Sequence, residues 1–182
     1  MRQSSVNTKK VSKAVKIALR SLSECVTNNG FIAGSHHFVD LWARDSLFAT
    51  FGANASGLAR VSKKTIETFL EYQRTDGLVP FLIRRSRLTI GKYFGRHTYY
   101  KVPRGQFRSS QSGGTVPDGG LMTVIATRMY VEHTKDISFL RDNHEPLTRA
   151  LGWYQKKYGD GLIKEWFQCE WADAVLKIGR ML

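Results

Sequence analysis

Apolar residues recur along this chain at steps of three and four nearly everywhere, a spacing that places them on one side of an α-helix and leaves little room for sheet. Val11, Ala14, Val15, Ala18, Leu19, Leu22 and Val26 form one such stripe and predict a helix ending near Asn29-Gly30. A second helix is expected from about Asp45, with Leu47, Phe48, Phe51 and Leu58 turned inward. Ser62 is placed to cap a third, which carries Ile66, Phe69 and Leu70 and stops at Thr75-Asp76-Gly77. Leu121, Val124, Ile125 and Met129 mark a fourth, and Leu147, Ala150, Leu151 and Tyr154 a fifth. Strand-like alternation is almost absent, so the expected fold is all-α.

The length of 182 residues suits one domain with its own core, and we take residues 1–182 as a single unit. Hydrophobic residues make up 42% of the chain and aromatic residues 12%, which argues against a disordered segment. A run of about 18 apolar residues able to span a bilayer is absent, and Met1-Arg2-Gln3-Ser4-Ser5 lacks the apolar centre of a signal peptide. A soluble, cytoplasmic protein without a membrane partner is therefore expected. Cys25 and Cys169 are too few for a disulfide scaffold and lack metal-ligand spacing, so both are read as reduced thiols.

A formal net charge of +13 raises nucleic acid as a partner, but the placement of the charge weakens that reading. Lys9, Lys10, Lys13, Lys16 and Arg20 fall mostly on the polar side of the first helix. Between Phe81 and Asp118 lie eight basic residues (Arg84, Arg85, Arg87, Lys92, Arg96, Lys101, Arg104 and Arg108) and no acidic one. This stretch, residues 82–117, reads as a basic loop interleaved with Tyr93, Phe94, Tyr99, Tyr100 and Phe107, able to stack on bases or on sugars.

A short internal echo suggests repeating helical hairpins. Glu71-Tyr72-Gln73-Arg74-Thr75-Asp76-Gly77-Leu78 resembles the segment from Trp153-Tyr154-Gln155 to Asp160-Gly161-Leu162, and Asp76 and Asp160 are 84 residues apart. Half that spacing separates Asp118 from Asp160, a length that fits one hairpin with its loops and points to a solenoid or a closed toroid. Shared Asp-Gly turn chemistry would produce the same echo.

Two segments place acids beside tryptophan, a pairing suited to gripping and protonating a sugar: Trp42-Ala43-Arg44-Asp45-Ser46 and Glu170-Trp171-Ala172-Asp173-Ala174. The first, with Leu47, resembles the W-x-R-D-S/F element of glucoamylases, glycogen-debranching amylo-1,6-glucosidases and neutral invertases, families built on an (α/α)6 toroid. Asp118-Gly119-Gly120-Leu121, running on to Tyr130, Thr134 and Asp136, is similar to their D-x-x-L…Y…T-x-D segment. The stretch from Asp160-Gly161-Leu162 to Asp173-Ala174 is similar to the one that carries their general acid, nearest the W-x-D-A form of debranching enzymes. The three elements follow the family order over residues 31–182.

The resemblance implies the N-terminal part of a six-hairpin toroid that hydrolyses α-linked glucose with inversion and needs no metal or other cofactor. Arg44 and Asp45 match the pair that binds hydroxyls of the first glucosyl unit, with Trp42 as a wall; an exposed pair at a helix start would have the same sequence. Asp118 matches an acid lining the ligand, and it could equally cap the helix beginning near Gly119. Asp173 is the candidate general acid and Glu170 the competing choice, with Trp171 beside them; burial among tryptophans would raise the carboxyl pKa as acid catalysis requires. A packed last helix decorated by these acids is the structural alternative. An inverting enzyme also needs a second carboxylate about 6.5 to 9.5 Å from the acid. It has no counterpart here, so a fragment partnered by a missing C-terminal half is expected. Sucrose hydrolysis, a non-catalytic glucan-binding remnant and a basic helical nucleic-acid binder are the competing functions, with cysteine catalysis by Cys169 and His36, His37 or His133 a remote fourth.

Overall fold

The computed structural model describes residues 8–36, 38–89, 96–110, 113–159 and 161–163. Among these the chain is mostly helical, with α1 (Thr8–Glu24), α2 (Ala43–Ala55), α3 (Ala59–Glu71), α4 (Asp118–Thr134), α5 (Ile137–Asp142) and α6 (His144–Tyr158). Two short strands, β1 (Val26–Thr27) and β2 (Gly30–Phe31), pair antiparallel. Their turn ends the first helix at Glu24, earlier than the apolar stripe predicts. That stripe is not covered either: α1 has no buried residue, and Val11, Val15, Ile17 and Leu19 are exposed.

Helices α2 and α4 carry apolar residues on several sides and pack against each other, with α3 laid across both and α6 against α4. Leu41, Leu47, Ile66, Phe69, Val79, Ile83, Ala126, Tyr130 and Phe139 form the shared core. Full burial of Ile66 or Phe69 is worth about 1.5–3 kcal/mol. The inward faces depart from the sequence expectation at particular positions. Phe48, Ile125, Met129 and Leu151 stand exposed. The buried side of α4 is instead Gly119, Gly120, Thr123, Ala126, Thr127 and Tyr130, mostly small residues that admit a close neighbour. The Thr123 and Thr127 hydroxyls donate back to the carbonyls of Gly119 and Thr123 at 2.7 and 2.8 Å, which satisfies them inside the helix pack. Ser62 is not a cap: α3 begins at Ala59, and the Ser62 hydroxyl donates to the Thr50 carbonyl at 3.4 Å. Helix α5, absent from the periodicity reading, is capped by Asp136, whose carboxylate accepts from the Phe139 N–H at 3.0 Å.

The all-α expectation is corrected where it assigned a basic loop to residues 82–117. Strands β4 (Leu82–Thr89) and β5 (Arg96–Gln106) form an antiparallel hairpin, and β3 (Leu41–Trp42) adds to it through the pairs Leu41↔Ile83 and Trp42↔Leu82. A register shift between Arg84 and Ser86 marks a bulge whose extra residues lie in β5, since Arg84 pairs with Arg104 and Ser86 with Tyr99. Asp40 closes it, its Oδ1 accepting from the Arg85 and Ser86 N–H groups at 2.7 and 2.9 Å. The same carboxylate thus ties the hairpin to the segment that leads into Trp42. No helix among the described residues is long and apolar enough to cross a membrane.

Candidate functional site

Arg44 lies in the first turn of α2 and Asp118 is the first residue of α4, 74 positions later. Their side chains meet: Arg44 Nε lies 2.8 Å from Asp118 Oδ2, with only 25% and 18% of the two side chains exposed. The helices therefore begin at the same end of the molecule. Both bring the positive ends of their dipoles to the pair, an arrangement that favours negative charge and oxygen acceptors.

Packing behind α4 explains why its first turn reads Asp-Gly-Gly. A Cβ on Gly119 would stand 2.7 Å from the Pro80 carbonyl oxygen, and one on Gly120 would stand 2.8 Å from the Tyr154 hydroxyl. The Tyr154 hydroxyl donates to the Pro117 carbonyl and accepts from the Leu121 N–H at 3.2 Å. Burial pushes that phenol's pKa well above its ordinary value, so it stays a neutral donor and acceptor. Tyr154 thereby fixes the chain on both sides of Asp118.

Asp118 is electrostatically unusual. Burial raises its carboxyl pKa, and although Arg44 and the backbone N–H groups of Asp118 and Gly119 pull it down, burial wins; the nearby charge of Asp45 pushes the same way. Oδ1 of Asp118 is buried with no hydrogen-bond partner among the described residues, and so is the Ser46 hydroxyl one turn into α2. A buried carboxylate oxygen left open in this way is a costly arrangement that structure alone does not require.

Aromatic rings stand beside the pair. Trp42 leads directly from β3 into α2 and packs edge-on against Phe38 and Phe81, with ring centroids 6.1 and 5.9 Å apart. Phe81 is held by its own backbone, its carbonyl accepting from the Ala43 N–H at 2.8 Å and its N–H donating to the Gln106 carbonyl at 3.1 Å. Phe38 is 60% exposed, so the cluster presents ring surface to solvent.

The structure thus assembles Trp42, Arg44, Asp45 and Asp118 from two distant sequence elements. Two details are corrected. Arg44 pairs with Asp118 as well as adjoining Asp45, which is exposed in the first turn of α2. Asp118 is not an N-cap, since Pro117 holds that position and no side-chain cap is made. Glu170, Trp171 and Asp173 lie outside the described residues, as does Cys169. Of the histidines considered with it, His36 and His133 are exposed, and His37 lies outside the described residues. Cys25 has a pKa raised by burial and then by Glu24, the opposite of an activated thiol. Among the described residues there is no group of three or more His, Cys, Asp or Glu side chains that could hold a metal ion.

Sequence reading missed Phe38, Phe81, Asp40 and Tyr154. Tyr154 carried a faint signal as part of the internal echo; Phe38 and Asp40 lie within four residues of Trp42 but belong to no motif, and Phe81 reaches it only because the hairpin folds back onto β3.

Chemically, the site combines a guanidinium donor, a carboxylate with a free oxygen and a broad aromatic surface. Vicinal hydroxyls on a ring with one apolar face meet those demands: hydroxyls donate to the carboxylate and accept from the guanidinium while the ring lies on tryptophan. Residues 10–100 match the family model described as Amylo-alpha-1,6-glucosidase, a span that includes Trp42, Arg44 and Asp45 and ends before Asp118. No curated protein matches the chain.

Proposed function

Because the chain belongs to the amylo-alpha-1,6-glucosidase family, we propose that the site at the joined starts of α2 and α4 binds a terminal glucosyl unit of an α-glucan for hydrolysis of its glycosidic bond. The observation that carries this reading is the Arg44–Asp118 pair, which joins two motifs 74 residues apart and leaves a buried carboxylate oxygen open. In this reading Arg44 and Asp118 clasp adjacent hydroxyls, Trp42 receives the ring, and Asp45 holds the local potential negative.

Asp173 is the proposed general acid, with Glu170 as its competitor. Inversion further requires a carboxylate that activates water on the opposite face of the sugar. The protonated acid donates to the glycosidic oxygen as the bond to the anomeric carbon breaks, and the activated water forms the new bond and yields its proton to the base. Hydrolysis of maltose, isomaltose, glycogen and sucrose separates the debranching and sucrose-cleaving versions of this reading. With an active form, Asp173→Asn is expected to lower the rate by about 10²–10⁴-fold with sugar affinity nearly unchanged. Equal loss of affinity would make Asp173 a structural residue. Calorimetric titration with maltose tests the site itself, and failure to bind any of these sugars would sink the proposal.

A further inference from the structure

The hairpin that grows out of the site carries a second set of groups that a neutral glucan does not call for. Arg84 of β4 and Arg104 of β5 are directly opposed in the antiparallel ladder, which puts both exposed guanidinium groups on the same face. Like charges across a strand pair are destabilising. Arg84 is steadied by Gln106, its Nη2 donating to Oε1 at 3.2 Å, and Arg104 lies over the Tyr100 ring at 5.4 Å. A further stacked pair, Arg85 over Tyr99 at 5.8 Å, extends the pattern. Among the described residues, Arg84, Arg85, Lys101, Arg104 and Arg108 take part in no ion pair, and the sequence from 82 to 117 contains no carboxylate at all. The guanidinium groups of Arg84, Arg85 and Arg104 are held by an amide and by rings, which orients them without neutralising them.

The hairpin is continuous with the sugar site. Trp42 pairs with Leu82, and Arg84 follows two residues along the same strand, about 7 Å further on. A glucan whose end unit rests on Trp42 and Arg44 therefore has the arginine ladder within reach of its next units. A phosphate monoester, carrying about −1.5 to −2 charge near pH 7, matches two opposed guanidinium groups in charge and accepts bidentate donation from each.

We propose that Arg84 and Arg104, supported by Gln106 and Tyr100, form a clamp for a phosphate monoester borne by the α-glucan whose end sugar occupies the Trp42–Arg44–Asp118 site. This rests on the glucan reading above and adds its substrate class: phosphorylated α-glucan in preference to the unmodified polymer.

The test is binding of the whole chain to phosphate-bearing amylopectin and to the same amylopectin after phosphatase treatment, with and without added salt. The unaltered protein is expected to bind the phosphorylated form at least about tenfold more tightly, with the preference shrinking at high salt. An Arg84→Gln/Arg104→Gln variant with unchanged circular dichroism should lose the preference and keep its affinity for the treated polymer. Arg84→Lys/Arg104→Lys, which retains charge without the planar fork, should keep only part of it. Equal binding of both polymers by the unaltered protein overturns the clamp while leaving the sugar site standing, and needs no variant to fold. Binding of a single-stranded oligonucleotide with neither polymer bound overturns both.

Discussion

Helix α4 ends in two ion pairs that look alike in distance and differ in almost everything else. At its start, Asp118 meets Arg44 at 2.8 Å; just past its end, Asp136 meets Lys63 at 2.8 Å. Asp136 is saturated. Its Oδ2 accepts from Lys63 and from the Tyr130 hydroxyl at 3.1 Å, and its Oδ1 from the Ser138 hydroxyl at 2.6 Å and the Phe139 N–H at 3.0 Å. Those bonds, led by Lys63, hold its carboxyl far below the ordinary range. Asp118 is more deeply set, has one oxygen without a partner, and has a raised carboxyl pKa. One carboxylate is built to stay charged and fasten α3 to the α4–α5 turn. The other is held in a state that folding by itself would not select, and a ligand's hydroxyl would complete it.

The contrast is open to experiment at both ends. Removing the donor at the open end should have the largest effect: Arg44→Ala is expected to weaken maltose binding about 10–100-fold, since charge-assisted hydrogen bonds are worth about 1.5–3 kcal/mol. Titration calorimetry at fixed pH reads this directly, and unchanged affinity would remove Arg44 from the site. Asp118→Asn should cost about tenfold in the same titration. Its stability signature has a definite sign. A carboxyl whose folded pKa is raised contributes stability when protonated and loses that contribution as pH rises through the folded value, so melting curves should favour wild type over Asp118→Asn more at acid pH than at pH 7.

Tyr154→Phe sharpens the comparison from behind. It leaves the Pro117 carbonyl and the Leu121 N–H without their partner, a loss of about 1–3 kcal/mol, and frees the start of α4 to move. A lower melting temperature with weaker maltose binding is expected; destabilisation without loss of affinity would separate Tyr154 from the site. At the saturated end, Asp136→Asn should lower the melting temperature by a few degrees at pH 7 and leave maltose affinity unchanged. Its folded carboxyl pKa is depressed, so the stability it adds is present above the ordinary carboxylate range and disappears as pH falls through the folded value; the two melting curves should converge in acid. If Asp136→Asn impaired sugar binding as much as Asp118→Asn, the division between the two ends would fail.

Most of the helical segments were legible because the relevant signal is local. The apolar spacing of Ile66, Phe69 and Leu70 marks α3 wherever the chain folds, and all three are buried. Inward faces were less legible on α2 and α4, since helices with apolar residues on several sides do not declare which side a neighbour will cover. Phe48, Ile125 and Met129 were expected inside for that reason, and the small face of Gly119, Thr123 and Thr127 took their place. The hairpin was illegible for a different reason. Leu82-Ile83-Arg84-Arg85-Ser86 does not alternate, because the ladder slips at Arg85, opposite the extra residues of β5, and Asp40, some 45 residues earlier, supplies hydrogen bonds there.

The sequence by itself determined the mostly helical character, the motif containing Trp42, Arg44 and Asp45, and the family to which it belongs, all of which depend on residue order within a few turns of chain. Only the tertiary structure decided that Arg44 pairs with Asp118, that Phe38 and Phe81 flank Trp42, and that a basic stretch is a strand pair rooted beside them. Apart from Phe38, four positions from Trp42, those relations join residues about 40 to 74 positions apart. Their free energy exists only when packing of α2, α4 and the hairpin brings the partners together and excludes water from Asp118.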